Sequence, residues 1–354
     1  MNIGEILDGK YRIEAELGRG SFGAVYRAVQ VNIDRQVAIK VLKPKAKMDE
    51  EMQRRFKREA KLSSQLHSQH SIKIHDFGET SDGRMYIVME YLQGEPLDSL
   101  VRKEGPLPPE RVAHIMRQVL DSLGEAHTKG IIHRDLKPDN IFVCNNSAQT
   151  DFVKVFDFGI AKVVGGSSSS SLKETAKLTM VGGTVGTPAY MSPEQCCGED
   201  LEASSDFYSL GIVMYEMLTN ILPFEDANPV RTMMRQINEM PEALPPELAQ
   251  TPVGQAMWKA IQKDKKSRFQ TAAEFLDALK EPEEEAVSSQ LIDMDSSDTL
   301  RVASQTRPEA PASPSQLIVQ GGQGRQALLW GVVIGVIAVV FIIGVLLAVL
   351  VVFK

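Results

Sequence analysis

The 354-residue sequence predicts an α+β chain of two lobes, small and sheet-rich then larger and helical, followed by a polar linker and one apolar helix. Three observations predict it. Residues 11–91 are dominated by short alternating or apolar runs, residues beyond Gly94 turn to helical spacing, and residues 327–353 carry no charge.

In the small lobe "YRIEAEL", "AVYRAVQV", "QVAIKVL" and "MYIVMEY" read as strands, being rich in β-branched and aromatic residues. One amphipathic helix, "DEEMQRRFKREAKLSSQL", interrupts them. Asp49 can cap it, and Met52, Phe56 and Ala60 recur at i+4. The lobes are expected to join near Leu92–Gly94, and such a join is a common ligand site. Beyond it, "PPERVAHIMRQVLDSLGEAHTKG" starts on prolines and ends on Gly130, with Val112, Ile115, Met116, Val119 and Leu123 on one stripe. "FYSLGIVMYEML" is apolar nearly all round, as a helix buried within a large lobe would be. Thr271 and Glu274 have capping-box spacing ahead of "EFLDALK".

Composition changes abruptly after Lys280. Residues 281–326 are acidic, then Ser/Pro-rich, then Gly-rich, and read as a disordered juxtamembrane linker. The 26 residues from Leu328 would reach roughly 39 Å as a helix against a hydrocarbon core of about 30 Å, enough to cross with some tilt. The expected organisation is therefore a catalytic-sized domain over 1–280 (lobes about 11–91 and 95–280), the linker over 281–326 and a transmembrane helix over 327–354.

The net charge is −7, of which the linker carries −5, leaving residues 1–280 without the basic face that nucleic acid would require. Cys144, Cys196 and Cys197 are too few for a disulfide framework and lack zinc-site spacing, so they read as inert thiols in a reducing compartment. The N-terminus has no signal peptide, and Asn2 stands where myristoylation needs glycine.

Several motifs carry chemistry. "LGRGSFGAVYRAV" spaces Gly18, Gly20 and Gly23 as G-x-G-x-x-G, with Val25 two residues on. A dinucleotide fold would open a helix here; a β-branched run follows instead, implying a hairpin whose backbone amides can lie over phosphates. Lys40 ends the apolar run "VAIK", where its charge would be costly unless it met anions. Asp135 and Asn140 lie in "IIHRDLKPDNIFV", and Asp157 lies in "VFDFGIA". These are oxygen donors of the type hard Mg²⁺ prefers.

Together these motifs resemble the eukaryotic-like Ser/Thr protein kinases over about residues 11–280, and the overall plan is similar to the bacterial membrane-anchored type. The resemblance implies the bilobal protein kinase fold, with ATP and Mg²⁺ (or Mn²⁺) as cofactors and Ser/Thr-bearing proteins as substrates. It implies an ATP site formed by Leu17, the three glycines, Val25, Ala38, Lys40, the gatekeeper Met89, Glu90, Leu92 and Phe142. Lys40 would bind the α- and β-phosphates and Glu59 would orient it as an ion pair. Asn140 and Asp157 would hold the metal. Asp135 would take or orient the hydroxyl proton, Lys137 would neutralise the transferring phosphoryl, and Thr187 would face the substrate. His133 is implied to be a structural hydrogen bonder, and Glu194 to pair with Arg268. Ser192 replaces the usual alanine. Phe207 is bulkier than the common residue there, for a reason the sequence does not supply.

Between Asp157 and Glu194, "GGSSSSSLKETAKLTMVGGTVG" reads as a long regulatory loop. Thr179 and Thr184 are candidate autophosphorylation sites, with Ser167–Ser171 and Thr175 as weaker ones; a plain spacer is the other reading of the serines. Arg134 reads as a buried cation, which an anion there would answer. Gly331 and Gly335 make a G-x-x-x-G through which two spans could pair as a homodimer. The expected function is thus an ATP-dependent Ser/Thr kinase at the cell membrane, single-pass, with its catalytic domain in the cytoplasm. The alternative is a pseudokinase or membrane-tethered signalling scaffold, against which every catalytic position is filled.

Overall fold

The computed structural model describes residues 1–20, 23–42, 50–80, 82–146, 149–158 and 188–280. Its first lobe is a six-stranded antiparallel sheet of β1 (Ile6–Leu7), β2 (Tyr11–Arg19), β3 (Gly23–Gln30), β4 (Arg35–Leu42), β5 (Ile74–Glu79) and β6 (Met85–Glu90), ordered β1-β2-β3-β4-β6-β5. Alternation explains the outer strands: Tyr11 and Ile13 in β2, and Ala24, Tyr26 and Ala28 in β3, face one apolar cluster. β4 is buried on both faces. Val37, Ile39 and Val41 point into that cluster, while Leu42 joins Phe56, Met85 and Ile87 on the other side. Phe56 comes from α1 (Glu50–Ser63), whose inward stripe includes Phe56 and Ala60, both fully buried. The expected cap Asp49 lies outside the described residues. β5 escaped the sequence reading because "IHDFGE" has no clean period; it is an edge strand, half-buried along most of its length.

The second lobe begins with β7 (Gly94–Pro96) and α2 (Leu97–Glu104), then α3 (Pro109–Thr128). Val112, Ile115, Met116, Val119 and Leu123 of α3 are all fully buried, as the stripe predicts. β8 (Ile141–Asn146) and β9 (Gln149–Val155) form a hairpin that pairs with β7. Next come α4 (Pro193–Cys197), α5 (Ala203–Thr219), α6 (Pro229–Asn238), α7 (Pro246–Ala249), α8 (Pro252–Ala260) and α9 (Ala272–Ala278). α5 is the buried axis of the lobe, with every residue from Ser204 to Tyr215 buried. Gly211 allows this: a Cβ there would stand 2.7 Å from Ile261 Cγ2 and 2.9 Å from Ala260 Cβ. At α9 the Thr271 hydroxyl accepts the Glu274 amide, while the Glu274 carboxylate takes the amide of Gln270, one residue before its expected partner.

Two departures noted in the sequence acquire reasons. Ser192 caps α4: its hydroxyl accepts the Gln195 amide, a bond alanine could not make, and its own amide donates to Gln195 Oε1. Phe207 is fully buried, edge-on to His127 (5.2 Å) and Phe275 (5.9 Å), and Phe275 stacks on Phe269 at 4.1 Å.

Contacts divide the chain into units at Met1–Asp293 and Met294–Lys354, and the described residues all lie in the first. Among them no helix is long and apolar enough to cross a membrane. The linker over 281–326 and the span expected over 327–354 lie outside the described residues.

Glu194 and Arg268 are paired as expected, at 2.8 and 2.9 Å through both carboxylate oxygens, and both are almost wholly buried. Arg268 also donates to the carbonyls of Gln262, Lys263 and Ser204, so its donors are answered. Burial pushes the Glu194 carboxyl up, but the Arg268 hydrogen bonds and charge outweigh it and hold the group below its ordinary 4.5. A depressed carboxyl stabilises the fold above its unfolded-state value and loses that contribution as pH falls through the folded one. Glu194→Gln should cost about 3–5 kcal/mol by stranding a buried guanidinium. In urea titrations the gap between wild type and variant should narrow below pH 4.5; a gap independent of pH would contradict this account.

Candidate active site

Lys40 sits in the middle of β4, opposite Val25 on β3 and Ile87 on β6. Its side chain is 16% exposed, and its ammonium pairs with Asp157 Oδ2, which belongs to the other lobe. Asp157 directly follows β9 by two residues and holds φ +57°, a left-handed conformation that turns its carboxylate off the strand direction. Burial pushes its carboxyl up. The Lys40 charge and hydrogen bond, helped by His133 and Lys137, hold it below the ordinary 3.8.

The expected Lys40–Glu59 ion pair needs correction for this conformation: among the described residues Lys40 pairs with Asp157 and forms no ion pair with Glu59. Phe56 and Ala60 occupy the inward stripe of α1, leaving Glu59 half-exposed at its edge. Of the two carboxylates, the one that holds the ammonium here is Asp157.

The segment from Ile131 to Asn140 is shaped by Asp206, 1% exposed in the first turn of α5. Its Oδ2 accepts the His133 amide (2.8 Å) and Nε2 of His127 (2.8 Å), and its Oδ1 accepts the Arg134 amide (2.9 Å). Arg134 itself is left-handed at φ +69°, and its side chain is exposed, not buried as expected, because the fold holds its backbone groups and leaves the guanidinium to solvent. Gln195 Nε2 donates to the Arg134 carbonyl at 2.7 Å, so both polar groups of that peptide reversal are held. His133 is fully buried and donates Nε2–H to the Phe156 carbonyl at 2.6 Å, the structural role expected of it.

This frame leaves Asp135 at the surface of the cleft, its side chain 43% exposed, with the Lys137 ammonium 3.2 Å from Oδ2. Asn140, in a 3₁₀ turn over Pro138–Asn140, donates Nδ2 to the Asp135 carbonyl (2.7 Å) and carboxylate (3.3 Å). Its Oδ1 then has no hydrogen bond among the described residues. The Phe156 amide, one residue before Asp157, donates to the Asn140 carbonyl at 2.8 Å, and an amide oxygen and a carboxylate are donors of the type Mg²⁺ takes. No group of three or more His, Cys, Asp or Glu that could hold a metal occurs among the described residues.

On the opposite side, Ala38 (7% exposed) pairs with Met89 across β4–β6, and Phe142 meets Phe156 edge-on at 5.5 Å below them. Leu92 is half-buried, and its amide has no partner among the described residues. Leu17 is 48% exposed at the end of β2 beside Gly18. A Cβ at Gly18 or Gly20 would meet nothing within 4 Å, so these two leave the hairpin open to a ligand. Gly23 differs: its Cβ would fall 2.1 Å from the Val41 carbonyl, which makes it a glycine of strand packing.

A model of the protein kinase domain matches residues 11–310. The serine/threonine-protein kinase pkn3 of Myxococcus xanthus is 43% identical over 239 residues, covering 68% of this chain and 43% of that protein. The serine/threonine-protein kinase PknA of Mycobacterium tuberculosis is 33% identical, covering 96% of this chain and 81% of its own length. The crystal structure of the Mycobacterium tuberculosis PknI kinase domain superposes with a TM-score of 0.60 at 26% identity, covering 79% of this chain and 98% of that one. The chain belongs to the eukaryotic-like Ser/Thr protein kinase family.

It spans less than half the length of pkn3 and of pkn2 from the same organism. The kinase fold brings Lys40, Asp135, Asn140 and Asp157 to one cleft, with Lys137 beside Asp135. Thr179, Thr184 and Thr187 lie outside the described residues, as do Ser167–Ser171 and Thr175. Sequence reasoning missed Asp206 and Gln195 as members of the site. A lone aspartate at the head of an apolar helix was the available signal for the first; the second has none, since a glutamine before two cysteines is unremarkable on its own.

The electrostatics give a direct test. Lys40→Met removes the main influence lowering the Asp157 carboxyl and leaves the burial that raises it. Followed by carboxyl-labelled NMR, Asp157 should titrate higher in the variant than in wild type. An unmoved titration would show that the pair does not govern the site.

Proposed function

We propose that the chain transfers the γ-phosphoryl group of ATP to Ser or Thr hydroxyls of protein substrates, and that it works tethered to a membrane. The observation that carries the reading is the gathering of Lys40, Asp135, Asn140 and Asp157 from well-separated stretches into one cleft, with Lys40 already meeting Asp157 across it. The names of pkn3 and PknA support the Ser/Thr acceptor.

In this reading Asn140 Oδ1 and Asp157 would hold Mg²⁺, or Mn²⁺, which would offset charge on the phosphate oxygens. Lys40 would bind the α- and β-phosphates, with Glu59 at the edge of α1 as its orienting partner. The amides near Gly18 and Gly20 cover the phosphates, Met89 to Leu92 face adenine, and Val25, Ala38 and Phe142 enclose it. Asp135 accepts the proton leaving the acceptor hydroxyl, so that oxygen can bond to phosphorus as the bond to ADP breaks. Lys137 stays on the transferring group. Asn140 keeps Asp135 aimed by its two hydrogen bonds.

Control and location rest on the sequence alone. Thr179 or Thr184, phosphorylated in trans or in cis, would supply an anion for the exposed Arg134. The uncharged run over 327–353 would anchor the domain to the cell membrane from the cytoplasmic side, and Gly331 with Gly335 would allow a homodimer.

Incubating the full chain with Mg-ATP and a protein acceptor tests the chemistry: Asp135→Asn should lower kcat by about 10²–10⁴-fold. Equal turnover would reject the assigned base. Phosphate mapped in the same reaction should fall on Thr179 or Thr184, and its absence from both would remove the proposed switch. For location, the expressed chain should stay with membranes through carbonate extraction; release into the supernatant would rule out the span.

A further inference from the structure

Glu90 closes β6 immediately after Met89, and its carboxylate is a junction of three chain segments. Oε1 accepts the Lys154 ammonium of β9 at 2.7 Å and the Lys73 amide at 2.8 Å. The Glu90 amide donates back to the Lys73 carbonyl at 3.0 Å. Lys154 also reaches the Ser71 carbonyl at 3.3 Å. The pair is mostly shielded, with side chains 12% and 25% exposed. Beside it, segment 70–72 is laced to β9, the Val155 amide donating to the His70 carbonyl (2.8 Å) and the Ile72 amide to the Val155 carbonyl (2.9 Å).

The strand that carries Lys154 also builds the floor under the adenine site. Lys154 is registered opposite Phe142 on β8, and Phe156 two residues on stands edge-on to Phe142. The backbone from Glu90 to Leu92, assigned above to adenine, joins β6 of the first lobe to β7 of the second. Ionic hydrogen bonds in a shielded place are strong enough to hold such a segment in one position. No atom of Lys154 belongs to the ATP site assigned above.

We propose that Lys154 is a positioning residue for ATP: its ammonium grips Glu90 and so fixes the height of the Glu90–Leu92 backbone above Phe142. The proposal rests on the reading of the cleft as an ATP site. A clamp of this kind acts on nucleotide affinity and leaves the phosphoryl-transfer geometry around Asp135 alone.

The test compares the full chain with Lys154→Met, which keeps the bulk of the side chain, and with Lys154→Arg, which keeps the charge. Calorimetric Kd for ATP, KM for ATP, KM for the protein acceptor and kcat are measured for each. Lys154→Met should weaken Kd and KM for ATP roughly three- to ten-fold with kcat at saturating ATP within about two-fold. The acceptor KM should hold, and Lys154→Arg should restore the wild-type values. In a Glu90→Met background, which leaves no oxygen for the ammonium, Lys154→Met should add nothing further, because the acceptor it holds is already lost. Unchanged ATP affinity, a change confined to kcat, no rescue by arginine, or additive losses in the double variant would each overturn the clamp. Wild-type protein that binds ATP but transfers no phosphate would sink the proposed activity and leave the Kd comparison intact. Wild-type protein that binds no ATP would overturn both.

Discussion

Taking a carboxylate out of water costs several kcal/mol unless its oxygens are answered, and the catalytic loop takes its shape from how Asp206 is answered. α5 is buried on all sides, so Asp206 cannot swing to solvent. Its position in the first helical turn suits a negative charge. The remaining demand is met by the His133 and Arg134 amides and by His127, and meeting it requires the chain to reverse at Arg134 in a left-handed conformation. Gln195 takes the carbonyl of the same residue from the other side. Asp135 and Asn140 follow directly from this anchored reversal.

A second constraint is a shortage of cations in the cleft. Lys40 is the one ammonium reaching inward from the small-lobe sheet among the described residues of β4, and both Asp157 and Glu59 could use it. Asp157 takes the lysine, and Glu59 stays half-exposed on its helix. Asp157, like Arg134, is left-handed. Backbone conformations of this kind persist only where surrounding contacts determine them; here the His133 bond to the Phe156 carbonyl fixes the neighbouring peptide.

Away from the cleft, the large lobe is locked by polar pairs set in an apolar core. Glu194 and Arg268 join α4 to the segment before α9, and Ser192 with Gln195 caps α4 and extends toward the catalytic loop. Phe207 fills the space between His127 and Phe275, which keeps His127 in line with Asp206. Stability and site geometry therefore share residues, as expected where buried polar groups are satisfied by one another.

Much was legible in the sequence, because local pattern carries it. Short alternating or apolar runs marked β2, β3, β4 and β6; the 3.6-residue stripe marked α3; and the all-round apolar helix marked α5. Glycines at fixed offsets and the "HRDLKPDN" and "DFG" stretches marked the cleft, and Glu194 with Arg268 followed from the resemblance they support. The chain alone could not show which acid Lys40 would choose, that Asp206 sets the catalytic loop, that Gly23 serves packing while Gly18 and Gly20 stand open, or that Lys154 meets Glu90. Each of these is a choice among partners distant in sequence, decided by burial and by distances of a few ångströms. Periodicity reports which face of an element is apolar; only the folded arrangement decides which charge lies close enough, and dry enough, to be paired.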